Sequence, residues 1–491
     1  MKNILKISLT LLIIMSVAGC SEDMLTLEPE TALAETAAFD TKDRIVGQVN
    51  GLYAFMKSGQ YLGGRYFVYN DIRAENFLPK STNLVTGYAT WNHSVLGSTN
   101  EVQNLWAAVY AANNAINIFL EGLEANKTAG KLDGIITDAE YNQYKSEAFT
   151  LRAMCYFDML QLYAQPYAKN NGSNPGLPLR LIAYKTAEGN DMARSTVAET
   201  YAQILADLNA AEPLAIADYS SALLRTTRIH KNTIIAFKTR VYLHMGNWAS
   251  VITEAAKIVP ATAPYVAPTG APLALSTTFA AIWNTPYTTA ESIFSMPFTS
   301  TNLPGTQNAL AHYHHPNSSE SYYLNTAGQA YTALDPTDAR RTQFQSGTVS
   351  GVGTVYFVGK WPNFTVQSDY APVLRYAEVL LNYAEAIARG GTVTQQAVDM
   401  LNAVRSRSFP AGVYTLASFA TASNLIDAIL LERNIEFLGE GFRNMDLLRT
   451  LNTIPGKTGA PNPIPSTSTS YIWPIPDSEL SSNKLMTGNG N

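Results

Sequence analysis

The sequence predicts a mainly α protein: a tetratricopeptide-like scaffold of helix hairpins carrying one large irregular region of loops and short strands. Three features point to it. Apolar residues recur at i, i+3, i+4 and i+7 in one segment after another, the spacing that lines one face of a helix. Two of those segments turn into a following helix through a short glycine link, at Gly246-Asn247 and at Gly390-Gly391, the grammar of stacked helix hairpins. Between residues 260 and 372 the period fails, and a run of roughly 110 residues far exceeds the ~12–15 of an ordinary connection.

Taken in order, helical patterning begins near Asp43 and runs to about Met56. Gly63 to Asn100 is rich in Gly, Asn, Thr and aromatics without a sustained period, so it is expected to be mostly loop. Trp106, Val109, Tyr110, Asn113 and Ile116 return to helical spacing. Tyr144 to Tyr163 adds a broad apolar face through Ala148, Leu151, Ala153, Tyr156 and Leu160. Ser195 or Thr196 can cap a helix reaching Leu208, with Glu199 placed to close a capping box on Thr196. His230 to Met245 and Trp248 to about Val259 make the first glycine-linked hairpin. Inside the irregular block, Ser292-Ile293-Phe294-Ser295-Met296 reads as a short strand. Tyr376, Val379, Leu380, Tyr383 and Ile387 then share a helix face, Gln395 to Arg405 returns beside it, and Leu425 to Leu438 is the last long helix. Stacked hairpins bury one face of each against its neighbours and leave a long side free as a scaffold.

The amino terminus carries a different message. Lys2 and Lys6 accompany an apolar run from Ile7 to Val17, about 11 residues against the ~20 that cross a bilayer as a helix. Such a run is the core of a cleavable export signal. Val17-Ala18-Gly19-Cys20 matches the lipobox of bacterial lipoproteins, which implies cleavage after Gly19 and a lipid on Cys20. Each buried acyl methylene contributes ~0.8 kcal/mol, so several chains together anchor stably. The expected organisation is a signal peptide at 1–19, a lipidated tether at 20–40 and one domain over 41–491. In that domain the scaffold occupies 41–259 and 373–450, and the irregular insertion at about 260–372 lies on the ligand side.

Composition excludes some partners. Removing residues 1–19 takes away two lysines and moves the formal charge from −5 to −7. An acidic chain without a basic stripe has no electrostatic footprint for nucleic acid and nothing to attract it to anionic headgroups. Cys155 is the sole cysteine besides Cys20, so the mature chain has no internal disulfide; among Leu151, Met154 and Leu162 it reads as core packing. The 27 tyrosines and 6 tryptophans outnumber 18 phenylalanines, a leaning towards rings with a polar tip that suit wet surfaces.

Over nearly its whole length the chain resembles the SusD/RagB family of outer-membrane nutrient-binding lipoproteins of Bacteroidetes. The resemblance rests on the lipobox with its acidic start, on Leu27-Glu28-Pro29-Glu30, and on Trp106 through Asn113-Asn114 and Ile116. It continues in Glu147-Ala148 with Leu151-Arg152-Ala153 and Tyr156-Phe157, and in Arg194-Ser195-Thr196-Val197. Most specific are Leu374-Arg375-Tyr376-Ala377-Glu378-Val379-Leu380-Leu381 and Glu432-Arg433 through Glu440-Gly441-Phe442-Arg443 with Asp446-Leu447, closed by Pro474-Ile475-Pro476 with Glu479-Leu480. Glu432, Arg433, Glu436 and Arg443 read as scaffold ion pairs near a helix end, which add little when exposed. Asp71, Arg73, Glu75 and Asn76 lie in a segment that resembles the family's binding face.

The resemblance implies a lid that binds a glycan, or in the RagB type a peptide, above a SusC-like TonB-dependent transporter. It implies no chemical step and no cofactor, an outer-membrane lipid anchor, and a cell-surface address signalled by Ser21-Glu22-Asp23. A sugar-binding face requires aromatic rings for C–H stacking and flanking amide or guanidinium donors. Two loop-rich regions supply such groups: Tyr88, Trp91 and Asn92 with Arg73 upstream, and Trp283, Tyr287, Tyr313, Tyr322 and Tyr323. A glycosidase is the rival class and needs two carboxylates across the scissile bond, but no segment resembles one and no nucleophile elbow is present. His312, His314 and His315 form the one metal-like cluster. Without a remote partner they read as solvated or ligand-facing histidines, and no metal is expected. A lipoprotein that only stabilises its barrel is the third reading.

Overall fold

The computed structural model describes residues 37–491 apart from 187, 458 and 460. The signal, Cys20 and most of the expected tether lie outside the described residues. The longer helices are α1 (Lys42–Met56), α2 (Arg65–Ile72), α3 (Asn100–Thr128), α4 (Asp138–Tyr163), α5 (Val197–Ala211) and α6 (Lys231–Met245). They continue with α7 (Trp248–Ala255), α8 (Tyr376–Ala388), α9 (Gln395–Ser406), α10 (Ala422–Glu436) and α11 (Arg443–Arg449). Strands pair two by two and antiparallel: β1 (Phe77–Pro79) with β3 (Tyr322–Leu324), β2 (Ser292–Met296) with β6 (Ala371–Arg375), and β4 (Phe344–Val349) with β5 (Gly353–Val358). The protein is mainly helical, and its helices stack as hairpins in the order expected.

Local chemistry sets the ends. Thr137 with Glu140 and Thr196 with Glu199 both close capping boxes, so the orphan N–H groups opening α4 and α5 find acceptors. Gly246 ends α6 at φ 69, a left-handed conformation that glycine adopts without a Cβ clash, and the Asn247 side chain then caps α7. Helix α4 lies between α3 and α5 and is buried on nearly every side from Gln143 onward. Its polar residues are therefore paired: Arg152 grips Asp207 at 2.6 Å, Glu147 holds Arg228 at 2.8 Å, and Asp158 accepts from the Tyr61 hydroxyl at 2.6 Å. Fully burying one of its Leu or Met side chains contributes roughly 1.5–3 kcal/mol.

Two expectations need correction. Half of the stretch from Gly63 to Asn100 is loop, but the rest is regular: α2, β1, a 3-10 turn at Leu84–Thr86 and a short helix at Tyr88–Trp91. All eight residues of α2 are buried, so it has no polar face and hence no amphipathic period to read. The charges near the end of α10 are also not exposed. Arg375 meets Glu291 at 2.5 Å, Glu436 at 3.0 Å and Glu440 at 2.8 Å, while Arg407 bridges Glu291 and Glu436. Arg340 joins Asp338 at 2.7 Å to Glu436 at 3.2 Å, and Lys360 holds Glu440 at 2.6 Å. Burial alone would raise the Glu436 carboxyl, but Arg407, Arg375 and Arg340 outweigh it and hold it far below the usual carboxylate range. This buried network fastens β2, β6 and the loops of the irregular region to α9 and α10.

Candidate functional site

Helix α2 ends at Ile72, and the four polar residues after Asn70 separate by what they touch. The Asp71 carboxylate accepts from Gly441 N at 2.8 Å, Glu75 pairs with Arg443 at 2.7 Å, and Asn76 donates to Asn434 at 2.7 Å. Those three are committed to structure. Arg73 is not. It is 2% exposed, and its Nη2 donates to the Ser470 and Tyr471 carbonyls at 3.0 and 3.1 Å. Its Nη1 is buried and has no partner, and no carboxylate lies within ion-pair distance of it among the described residues.

Arg73 forms one wall of a cleft of about 290 Å³. The other walls are Thr90, His93, Ser94, Val95 and Leu96 from the turn after the short helix, and Thr469, Ser470, Ile472, Trp473 and Asn491 from the carboxy-terminal segment. His93 takes a left-handed φ of 56 and turns its ring so that Nε2 donates to the Arg73 carbonyl at 2.8 Å. That fixes the tautomer: Nδ1 carries the lone pair, and it too is buried without a partner. Burial, then the charges of Lys457 and Arg73, push the imidazole down to about 3, so it is neutral at ordinary pH. Lys457 is buried behind the ring and donates to the Ile72 and Trp91 carbonyls, each at 2.6 Å. Burial lowers its ammonium well below the usual range, and Arg73 adds to that. Glu101 lies under Thr90 and accepts from its N–H at 3.1 Å; burial raises this carboxyl to about 7. The cleft is therefore lined by hydroxyls and an indole ring, with the unpartnered Arg73 Nη1 and His93 Nδ1 buried in its wall.

Of the first expected group, Arg73 lines this cleft, whereas Tyr88, Trp91 and Asn92 are not among its lining residues. Trp91 is 4% exposed, donates from Nε1 to Phe77 O at 2.8 Å, and serves as core. Tyr88 is half-buried and stacked on Trp91 at 5.5 Å, and half-buried Asn92 donates to the Ser94 hydroxyl at 3.3 Å. The second group does not form an exposed platform. Trp283 is 4% exposed, with the Lys360 ammonium 4.8 Å over its ring. Tyr313 and Tyr322 are buried and donate to the Gln307 and Thr86 carbonyls at 2.8 and 3.0 Å, and Tyr323 packs edge-on to Phe357. Tyr313 and Tyr322 place the apolar body inside and satisfy the hydroxyl on backbone, which is how a buried tyrosine avoids an unpaired donor. Only Tyr287 of this group stays half-exposed, its hydroxyl on Asp369 at 3.0 Å and its ring 4.8 Å from half-buried Tyr370. Pairing of β1 with β3 brings Tyr322 against Thr86, so the two regions, far apart in sequence, meet in space.

The histidines of His312-Tyr313-His314-His315 diverge. His314 stacks on Trp361 at 5.0 Å, His315 stacks on Phe364 at 5.0 Å, and His312 faces Glu320 at 3.4 Å. Among the described residues no group of three His, Cys, Asp or Glu side chains is placed to hold a metal. Sequence reasoning missed His93, Ser94 and the 469–473 segment. A glycine-rich turn hinted at the first two. Nothing local marks the third, which returns from 397 positions away to meet Arg73 and is pinned by the Tyr471 hydroxyl on Asn452 O at 2.7 Å and by Trp473 N on Leu162 O at 2.7 Å.

Two family models match this chain. One, described as the SusD family, covers residues 304–491, and one described as starch-binding associating with outer membrane covers residues 23–243. The chain is similar to SusD-like protein P38 of Formosa agariphila, 23% identical over 97% of each chain. It is similar to a solved SusD superfamily protein from Bacteroides fragilis, at 30% identity and a TM-score of 0.79, covering 92% of this chain and all of that one. It also shares its fold with surface glycan-binding protein A from Bacteroides thetaiotaomicron, solved in complex with laminarihexaose, at 18% identity and a TM-score of 0.71 over 92% of this chain and all of that one.

Proposed function

The chain belongs to the SusD family, and from that premise we propose that it is a lipid-anchored surface protein that captures an oligosaccharide. The observation that carries the reading is the Arg73 cleft. It gathers an arginine, a neutral histidine, hydroxyls and an indole around one small volume, residue types that can satisfy sugar hydroxyls. Its lining contains no carboxylate side chain, whereas glycoside hydrolysis needs a pair of them; this supports capture without cleavage. The laminarihexaose complex of a protein with the same fold gives a precedent for the ligand class. In this reading residues 1–19 are removed, Cys20 is acylated, and 20–40 tether the 41–491 domain as a lid over a SusC-like TonB-dependent barrel. Among the described residues no helix is long and apolar enough to cross a membrane.

The test is binding and recovery. The full chain, purified in detergent, should bind members of an oligosaccharide panel and return them uncut. A peptide bound in preference to every sugar would replace the glycan by the RagB-type ligand, and turnover would make the protein an enzyme. For the address, Glu22 and Asp23 replaced by Ala should leave lipidation intact and reduce protease accessibility on whole cells; unchanged exposure would remove the export role.

A further inference from the structure

Buried arginines in this protein are, as a rule, paired. Arg152, Arg240, Arg375, Arg433 and Arg449 hold Asp207, Glu378, Glu291, Asp446 and Glu385 at 2.5–2.9 Å. Arg65 has no carboxylate, but its Nε, Nη1 and Nη2 are all spent on Gln307 O and Gln60 Oε1. Arg180 also has a buried Nη1 without a partner but meets Glu479 at 3.4 Å. Arg73 keeps one with no carboxylate beside it, and among the described residues a second buried cation without a carboxylate partner, Lys457, lies behind the same cleft. Burying a charge without a counter-ion costs several kcal/mol, and the Arg73 guanidinium is pushed down to about 10 by that burial. A ligand that brings the missing anion recovers the cost.

We infer that the cleft takes an acidic sugar, with a carboxylate or sulfate ester on the Arg73 guanidinium and a neighbouring hydroxyl donating to His93 Nδ1. The inference rests on the glycan-binding reading and names the class of glycan. Guanidinium N–H groups match both oxyanions in geometry and bind them by charge-assisted hydrogen bonds. The neutral His93 ring accepts from a hydroxyl and would repel a second anion, which sets the orientation of the sugar ring. A cleft of about 290 Å³ encloses one residue of a chain whose remainder lies outside. A neutral sugar leaves Arg73 Nη1 unpaired, and a site built to bond a group discriminates strongly against ligands lacking it.

The experiment compares four probes on the detergent-solubilised full chain by calorimetry: tetragalacturonate, a sulfated carrageenan tetrasaccharide, neutral laminarihexaose and inorganic sulfate. The expected result is at least roughly tenfold tighter binding of one acidic tetrasaccharide than of laminarihexaose, with R73Q reducing it to the neutral level. Which of the two binds separates the carboxylate from the sulfate ester. If R73Q does not fold, the unaltered chain decides: acidic-sugar affinity must fall several-fold over a roughly tenfold rise in salt while neutral-sugar affinity holds. Equal or tighter binding of laminarihexaose, insensitive to R73Q and to salt, overturns the acidic assignment and leaves glycan capture standing. Binding of inorganic sulfate with no binding of any oligosaccharide overturns the assignment and the glycan reading together.

Discussion

Replacing Glu436 by Gln removes one charge from the centre of the buried network and keeps the shape and one carbonyl acceptor. The Glu436 side chain is fully buried; its Oε1 meets Arg375 at 3.0 Å and also Arg407, and its Oε2 meets Arg340 at 3.2 Å. After the change those guanidinium groups keep Glu291, Glu440 and Asp338 but carry one uncompensated positive charge in a dry interior. Breaking a buried pair from one side costs ~3–5 kcal/mol, and the surviving carboxylates place this case near the lower end, about 3 kcal/mol. An exposed pair sets the scale: Lys127 and Asp138 lie 2.7 Å apart with Asp138 82% exposed, so D138N should cost far less than E436Q. Urea unfolding followed by circular dichroism at pH 7 measures both. The pH dependence has a definite sign. Because the folded-state carboxyl is depressed, its contribution is complete above the unfolded value of ~4.3 and disappears as pH falls through the folded value. The difference between E436Q and the unaltered chain should therefore be full at pH 7 and shrink below pH ~4. An E436Q loss no larger than that of D138N would refute the reasoning.

Other perturbations follow from the same structure. Trp91→Ala should lower unfolding stability by ~3–5 kcal/mol, because the ring is core and not platform; weakened sugar binding with unchanged stability would contradict its placement. Gly441 has φ 81, and an added Cβ would meet the Phe67 backbone at 2.9 Å, so Gly441→Ala should cost more than ~1–2 kcal/mol, and an unchanged melting temperature would count against it. His314 lies between Trp361 and Phe77 with both ring nitrogens unpaired, and burial pushes it down to about 3. A histidine depressed in the folded state contributes fully above its unfolded value of ~6.5 and loses ~1.4 kcal/mol per pH unit below it. His314→Phe should then gain about 2 kcal/mol on the unaltered chain between pH 7 and 5, and a difference independent of pH would remove this account.

How much was legible in the sequence depended on whether the information was local. The capping boxes at Thr196 and the glycine turn at Gly246 follow from residues a few positions apart, and the helices they bound fall where expected. Helix α2 escaped because Arg65 to Ile72 is buried all round and shows no contrast between faces. The tyrosines misled for a related reason. A ring with a hydroxyl suits a wet surface, yet Tyr313 and Tyr322 satisfy that hydroxyl on backbone inside the protein. Arg73 was singled out from its segment, but what sets it apart, the absence of an acid nearby, becomes visible only once Asp71 and Glu75 are seen to be engaged elsewhere. The carboxy-terminal wall with Trp473 had no signal at all.

Trp473 offers the most direct test of sugar capture in the Arg73 cleft. Its indole Nε1 is buried without a partner while its ring lines the cleft, and its N–H resonance is one of 6 tryptophan signals in the protein. Titrating the chain with an oligosaccharide that it binds should shift the Trp473 signal and leave that of Trp248, on the α6–α7 hairpin, unmoved, with the sugar recovered intact. Saturable sugar binding that leaves Trp473 unperturbed would place the ligand elsewhere and contradict the account.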